Sequence, residues 1–136
     1  MHDVKVKSYR DLADFSYADE EGKFVILGHQ KKTSKDYFLI FSPLELTPYH
    51  ANIVYQFLQV EGRGKVEAVS SSGCRILSKG WQVHGGGHYQ LDYPTASLIL
   101  HGKSTAFGKY QAELLDPYVH EIPLLLGLEG FFLELK

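Results

Sequence analysis

Two short apolar runs lie close together near the start of the chain, and they constrain the fold more than any other feature. Phe24-Val25-Ile26-Leu27-Gly28 and Asp36-Tyr37-Phe38-Leu39-Ile40-Phe41 are rich in aromatic and β-branched residues, which predicts two strands covered on both faces. Between them the polar stretch Gln30-Lys31-Lys32-Thr33-Ser34-Lys35 is short enough to make the strands antiparallel neighbours. Ser42-Pro43 stops the second. The segment from Thr47 to Leu58 then switches period: Tyr49, Ile53, Val54, Phe57 and Leu58 form one stripe of a 3.6-residue helix. Thr47 is the expected cap, Pro48 the expected first helical residue, and Glu61-Gly62-Arg63-Gly64 the expected stop. This helix should pack on the strand pair.

Further along, Lys65-Val66-Glu67-Ala68-Val69 and Arg75-Ile76-Leu77 around a serine-rich turn read as an edge hairpin. Trp81-Gln82-Val83-His84 and Tyr89-Gln90-Leu91-Asp92 flank Gly85-Gly86-Gly87, which predicts a bulge, a turn or a close backbone approach. After Pro94 comes a strand, Ala96 to His101, then a loop and a short helix through Gln111-Ala112-Glu113-Leu114-Leu115, halted by Asp116-Pro117. The tail from Pro123 reads as an apolar turn or short helix followed by a last strand. Met1 to Gly22, ending in the acidic turn Asp19-Glu20-Glu21-Gly22, shows only a weak helical pattern and receives no assignment. With 136 residues and no repeat or linker, residues 1–136 are expected to form a single domain.

Charge narrows the function. The 14 basic and 16 acidic residues leave a net charge of -2, which offers no footprint for nucleic acid or an anionic membrane. Cys74 is the single cysteine, so no internal disulfide forms and a reducing, cytoplasmic location is expected. In Ser-Ser-Ser-Gly-Cys-Arg it reads as a small turn-flanking thiol rather than a nucleophile. No apolar signal core opens the chain and no run reaches membrane-spanning length.

His50 falls in the first turn of the expected helix, where unpaired amides and the dipole disfavour imidazolium. A neutral imidazole beside an anion site can act as general base or nucleophile; the plainer alternative is a half-buried histidine that starts a helix. Gly102-Lys103-Ser104-Thr105 invites comparison with a nucleotide-binding loop, but that motif needs a glycine where the chain has Ser97. A milder expectation is a one-phosphate cradle, with Ser104 capping a helix and the amides of Thr105 and Ala106 opening outward; the plain alternative is an ordinary strand-to-helix turn. His84, His88 and His101 could be drawn as a metal site, yet their spacing is not that of a helical pair and solvated strand ends are the simpler reading. His29 and His120 receive no role. Lys23 stands at the start of the first strand, where it could reach a ligand or be a solvated flank.

These signals coincide in one resemblance. Tyr49-His50-Ala51-Asn52-Ile53-Val54, Gly85-Gly86-Gly87-His88-Tyr89 and Gly102-Lys103-Ser104-Thr105-Ala106-Phe107-Gly108 are similar, in order and largely in spacing, to the motifs of the small phosphohistidine phosphatases grouped with the Janus and Ocnus proteins. The similarity runs from about Lys23 to Gln111. It implies an α/β fold with a single mixed, mainly antiparallel sheet of about six strands covered by two principal helices. It implies that His50 is catalytic and that Lys23, Ser104, Thr105 and Ala106 hold phosphate.

Two family arginines correspond to Ser42 and His88, so His88 faces the phosphate site in place of a planar, always-charged partner. About a dozen residues between Gly62 and Gly80 are additional. The expected function is a metal-independent phosphatase for phosphohistidine or related phosphoramidates, needing no cofactor. Its partner would be a phosphorylated protein or a small phosphoramidate. The alternative is a non-catalytic phosphate-binding module of the same fold. A third, weaker expectation is a metal-binding protein using His84, His88 and His101.

Overall fold

The structure is a computed structural model and describes residues 2–14 and 20–136. Both apolar runs are strands, β2 (Glu21–Gln30) and β3 (Lys35–Pro43), paired antiparallel as expected, with Phe24 opposite Phe41 and Ile26 opposite Leu39. The sheet extends beyond them. The segment that received no assignment supplies β1 (His2–Ser8), which adds parallel to β3. Of the acidic turn, Asp19 lies outside the described residues, Glu20 is buried, and Glu21 already opens β2.

On the other side of β2 stands β6 (Trp81–Asp92), then β7 (Ser97–His101) and the last strand β10 (Phe132–Leu135), in the order β1-β3-β2-β6-β7-β10. Two short strands, β8 (Lys103–Ser104) and β9 (Gly108–Lys109), bring the sheet to eight strands rather than about six. The sheet is mixed, because β1, β9 and β10 each join a neighbour in parallel while the long central pairings are antiparallel. The remaining pair, β4 (Val66–Ser70) and β5 (Gly73–Ile76), forms the expected hairpin as a separate two-stranded sheet.

Alternation along β2 and β3 splits the core in two. Val25, Leu27 and Ile40 meet Ile53, Val54, Phe57 and Leu58 of helix α1 (His50–Tyr55) and its continuation on one face. Phe24, Ile26, Leu39 and Phe41 face the other way, under Leu115, Ile122, Leu126 and Leu128 of the C-terminal segment. Two principal helices do not cover the sheet. α1 has six residues and continues as π-helical turns over Gln56–Val60, while α2 (Glu121–Leu125) has five. The second face is covered by a succession of 3-10 turns and α2, since Pro117 and Pro123 remove amide donors and Gly127 and Gly130 adopt positive φ. The short helix expected at Gln111–Leu115 is one such turn, Ala112–Leu114.

The start of α1 also differs in detail. Tyr49 is the cap residue in extended conformation, and its amide donates to Asn52 Oδ1 at 3.0 Å. Thr47 is buried before the helix with its hydroxyl unpaired, and Pro48 precedes the first turn. Of the apolar stripe, only Tyr49 is left exposed.

The triple glycine proves to be a bulge inside one continuous strand. Val25 pairs with Gly86 but Leu27 with Val83, so β6 carries one extra residue there. Gly85 has φ +90, and a Cβ on it would lie 2.2 Å from the Lys109 carbonyl oxygen, which belongs to β9. Gly62, which ends the π-helical turns, also has positive φ but open space around it. Gly62→Ala should therefore cost only about 1 kcal/mol, the left-handed penalty alone, whereas Gly85→Ala should cost roughly 2–4 kcal/mol because strain and backbone overlap combine. Urea unfolding of both variants measures the difference.

Candidate functional site

The in-register pairings place Ser42 opposite Lys23, Lys23 opposite His88, and His88 opposite His101. Directly opposed residues share a face, so these four side chains form one row across β3, β2, β6 and β7 on the face that carries α1. Lys23 Nζ donates to the Pro48 carbonyl at 2.6 Å and lies 5.4 Å from the centre of the Tyr49 ring. It thereby anchors the chain leading into α1.

His50 is the first residue of that helix and is buried, with 5% of its surface exposed. Its Nε2 lies 2.7 Å from the Gly87 carbonyl oxygen. A carbonyl only accepts, so Nε2 carries the hydrogen and Nδ1 keeps the free lone pair. Gly86 makes the seat possible, since a Cβ there would come within 2.9 Å of His50 Cδ2 and 2.6 Å of the Phe24 carbonyl oxygen. Burial, more than the dipole of so short a helix, lowers the His50 pKa to about 4; the Gly87 bond raises it, and Lys23 and His88 lower it further. The His88 ring stands edge-on to His50 with 5.7 Å between centres and stacks on His101 at 5.8 Å.

No helix begins at Ser104. The Gly102–Gly108 loop forms a tight β8–β9 hairpin in which Ser104 Oγ accepts the Phe107 amide at 3.1 Å, and Gly102 and Gly108 both have positive φ. The turn reverses the chain too soon for a helix to start. Ser104 is buried and clamps the turn from beneath, while Thr105 and Ala106 are exposed at its tip.

Lys23, His50, His88, Thr105 and Ala106 all line one cavity of about 670 Å³. Ser104 lies below its wall rather than in it. Lys103 also lines the cavity, and its lining includes no carboxylate. Local potential is therefore positive in a chain whose net charge is -2. Sequence reasoning treated Lys103 only as part of an imperfect nucleotide motif, although its place beside Ser104 was the available signal. A further wall was not foreseen at all: Val69, Ser72, Gly73 and Cys74 of the β4–β5 hairpin also line the cavity. Burial pushes the Cys74 thiol pKa up, which keeps it protonated.

His84 does not join the other histidines. The extra residue of the bulge turns it to the opposite face, where it packs near Gly28 and Tyr37 and pairs through Nδ1 with Gln111 Oε1 at 3.1 Å. His84, His88 and His101 thus do not converge, and no group of three metal-ligating side chains is assembled among the described residues. Nor is any helix among them long and apolar enough to cross a membrane. His29 stacks on Trp81 with 4.2 Å between centres, remote from the cavity lining.

Comparison with family models and with curated proteins finds no match for the chain. The geometry alone defines the site as a cationic cavity with one neutral, oriented imidazole in its floor.

That imidazole couples the site to stability. The folded state holds His50 at about 4 against an ordinary 6.5, so between these values the unfolded chain binds more protons. Stability is complete above pH 6.5 and falls as the pH drops towards 4, by at most about 3 kcal/mol from this group. NMR titration should find His50 neutral at pH 5, and His50→Gln should flatten the acid side of the stability curve.

Proposed function

We propose that the protein is a metal-independent phosphatase acting on phosphohistidine or related phosphoramidates, as its resemblance to the Janus and Ocnus phosphatases implies. The observation that carries this reading is convergence: His50, Lys23, His88 and the Thr105–Ala106 turn, distant in sequence, line the same cavity. A phosphoryl group in this cavity would have its charge balanced by Lys23 and Lys103, with the turn at Thr105 and Ala106 against its oxygens. Hydrolysis then needs positioning, charge neutralisation and one base. His50 Nδ1 is suited to be that base, or the nucleophile, because Nε2 is committed to Gly87 and the ring stays unprotonated at neutral pH.

The alternative reading, a binding module that recognises a phosphorylated protein or small anion without cleaving it, is favoured by one observation. Ser42, where the family has arginine, is fully buried with its hydroxyl unpaired, so no charged side chain stands there. The two readings separate in one assay. Phosphate release from a phosphohistidine peptide should be measurable with the native chain and fall at least about 100-fold in His50→Ala, with an unchanged circular dichroism spectrum. Lys23→Ala should chiefly raise KM. Saturable phosphate binding without release from any P–N substrate would select the binding module.

A further inference from the structure

Cleaving a P–N bond near neutral pH requires a proton for the departing nitrogen heterocycle as well as a base on the phosphoryl side. The cavity contains few groups able to give one. His50 presents a lone pair, Lys23 holds the Pro48 carbonyl, Cys74 keeps its proton tightly, and Lys103 stands exposed to solvent at the rim. His88 differs from all of these. It lines the cavity 5.7 Å from His50 between ring centres, and neither of its nitrogens has a hydrogen-bond partner among the described residues, whereas His50 and His84 are each tied down. Its ring packs on His50 and His101 while both nitrogens remain available to a ligand.

We infer that His88 is the general acid of this site, protonating the leaving nitrogen heterocycle while His50 acts at phosphorus, a role that rests on the phosphoramidase reading above. In the balanced step, water attacks phosphorus and yields one proton to His50 Nδ1. The P–N electron pair passes to the leaving imidazole, whose ring nitrogen away from phosphorus takes the His88 proton. The products are inorganic phosphate and neutral imidazole. Solvent then returns a proton to His88 and removes the one on His50.

The charges around His88 are consistent with this. Lys23 and Glu21 face it from β2, His101 from β7 and His50 from α1, while Lys103 lines the same cavity. Burial first, then Lys23 and His101, lower its pKa, and Glu21 opposes them. A dianionic phosphoryl group among the lysines offsets that repulsion, so substrate binding itself loads the acid.

Two variants of the full chain separate proton donation from simple charge. With a phosphohistidine peptide as substrate, kcat of the native protein should rise with pH as His50 deprotonates and fall as His88 does. His88→Gln should lose the falling limb and drop kcat by about 10²–10⁴-fold, with KM changed only a few-fold. His88→Arg, which keeps a positive charge but cannot give up a proton, should hold KM and remain as slow.

Native kcat in His88→Arg, with an equal or lower KM, would make His88 a counter-charge and overturn the inference while leaving the phosphatase reading intact. So would unchanged kcat in His88→Gln. Failure of the native protein to release phosphate from the peptide would overturn both.

Discussion

A single hydrogen bond, from His50 Nε2 to the Gly87 carbonyl, ties the start of the helix to the sheet at the floor of the cavity. It selects the tautomer, sets the ring against β6, and leaves Nδ1 as the only basic atom of the side chain. The bond exists because Gly86 has no side chain to obstruct the imidazole, and it lies beside the bulge where β6 carries one extra residue relative to β2.

The same irregularity sorts the histidines. Residues four apart on a regular strand share a face, yet His84 and His88 do not, since one extra residue intervenes. His88 is left beside His50 and His101, while His84 is turned into the opposite layer. A backbone device of a single residue therefore separates the cavity histidines from a contact on the opposite face. The tight β8–β9 hairpin is a further local departure that bounds the same cavity.

Electrostatics in the cavity run against those of the whole chain. A net charge of -2 spreads acidic residues elsewhere, among them Glu61 with Lys7 and Asp36 with Lys5 and Lys31. The cavity keeps Lys23 and Lys103 without a carboxylate in its lining. Burial opposes protonation of His50 and His88, and an incoming anion reverses that balance for the group nearest it. The β4–β5 hairpin, a sheet separate from the main one, lines the cavity opposite this charge.

The sequence by itself determined β2, β3, β7, the hairpin and the last strand, because aromatic and β-branched runs bounded by glycine and proline report burial directly. It marked His50, Lys23, His88 and the 104–106 turn as candidates, and it named a bulge among three meanings of the triple glycine. It did not reveal β1, where Lys5 and Lys7 alternate with half-buried Val4 and Val6 in a parallel edge pairing that depends on a distant partner. Helix lengths were overestimated, because the periodicity that marks an apolar stripe is blind to π-helical turns and to cover by short turns. Only the tertiary structure decided that Lys103 and the hairpin share the cavity, that Ser104 clamps a hairpin turn instead of capping a helix, and that His84 faces away. Each of these depends on strand register, and register is set by pairing between segments far apart in the chain, which no local pattern records.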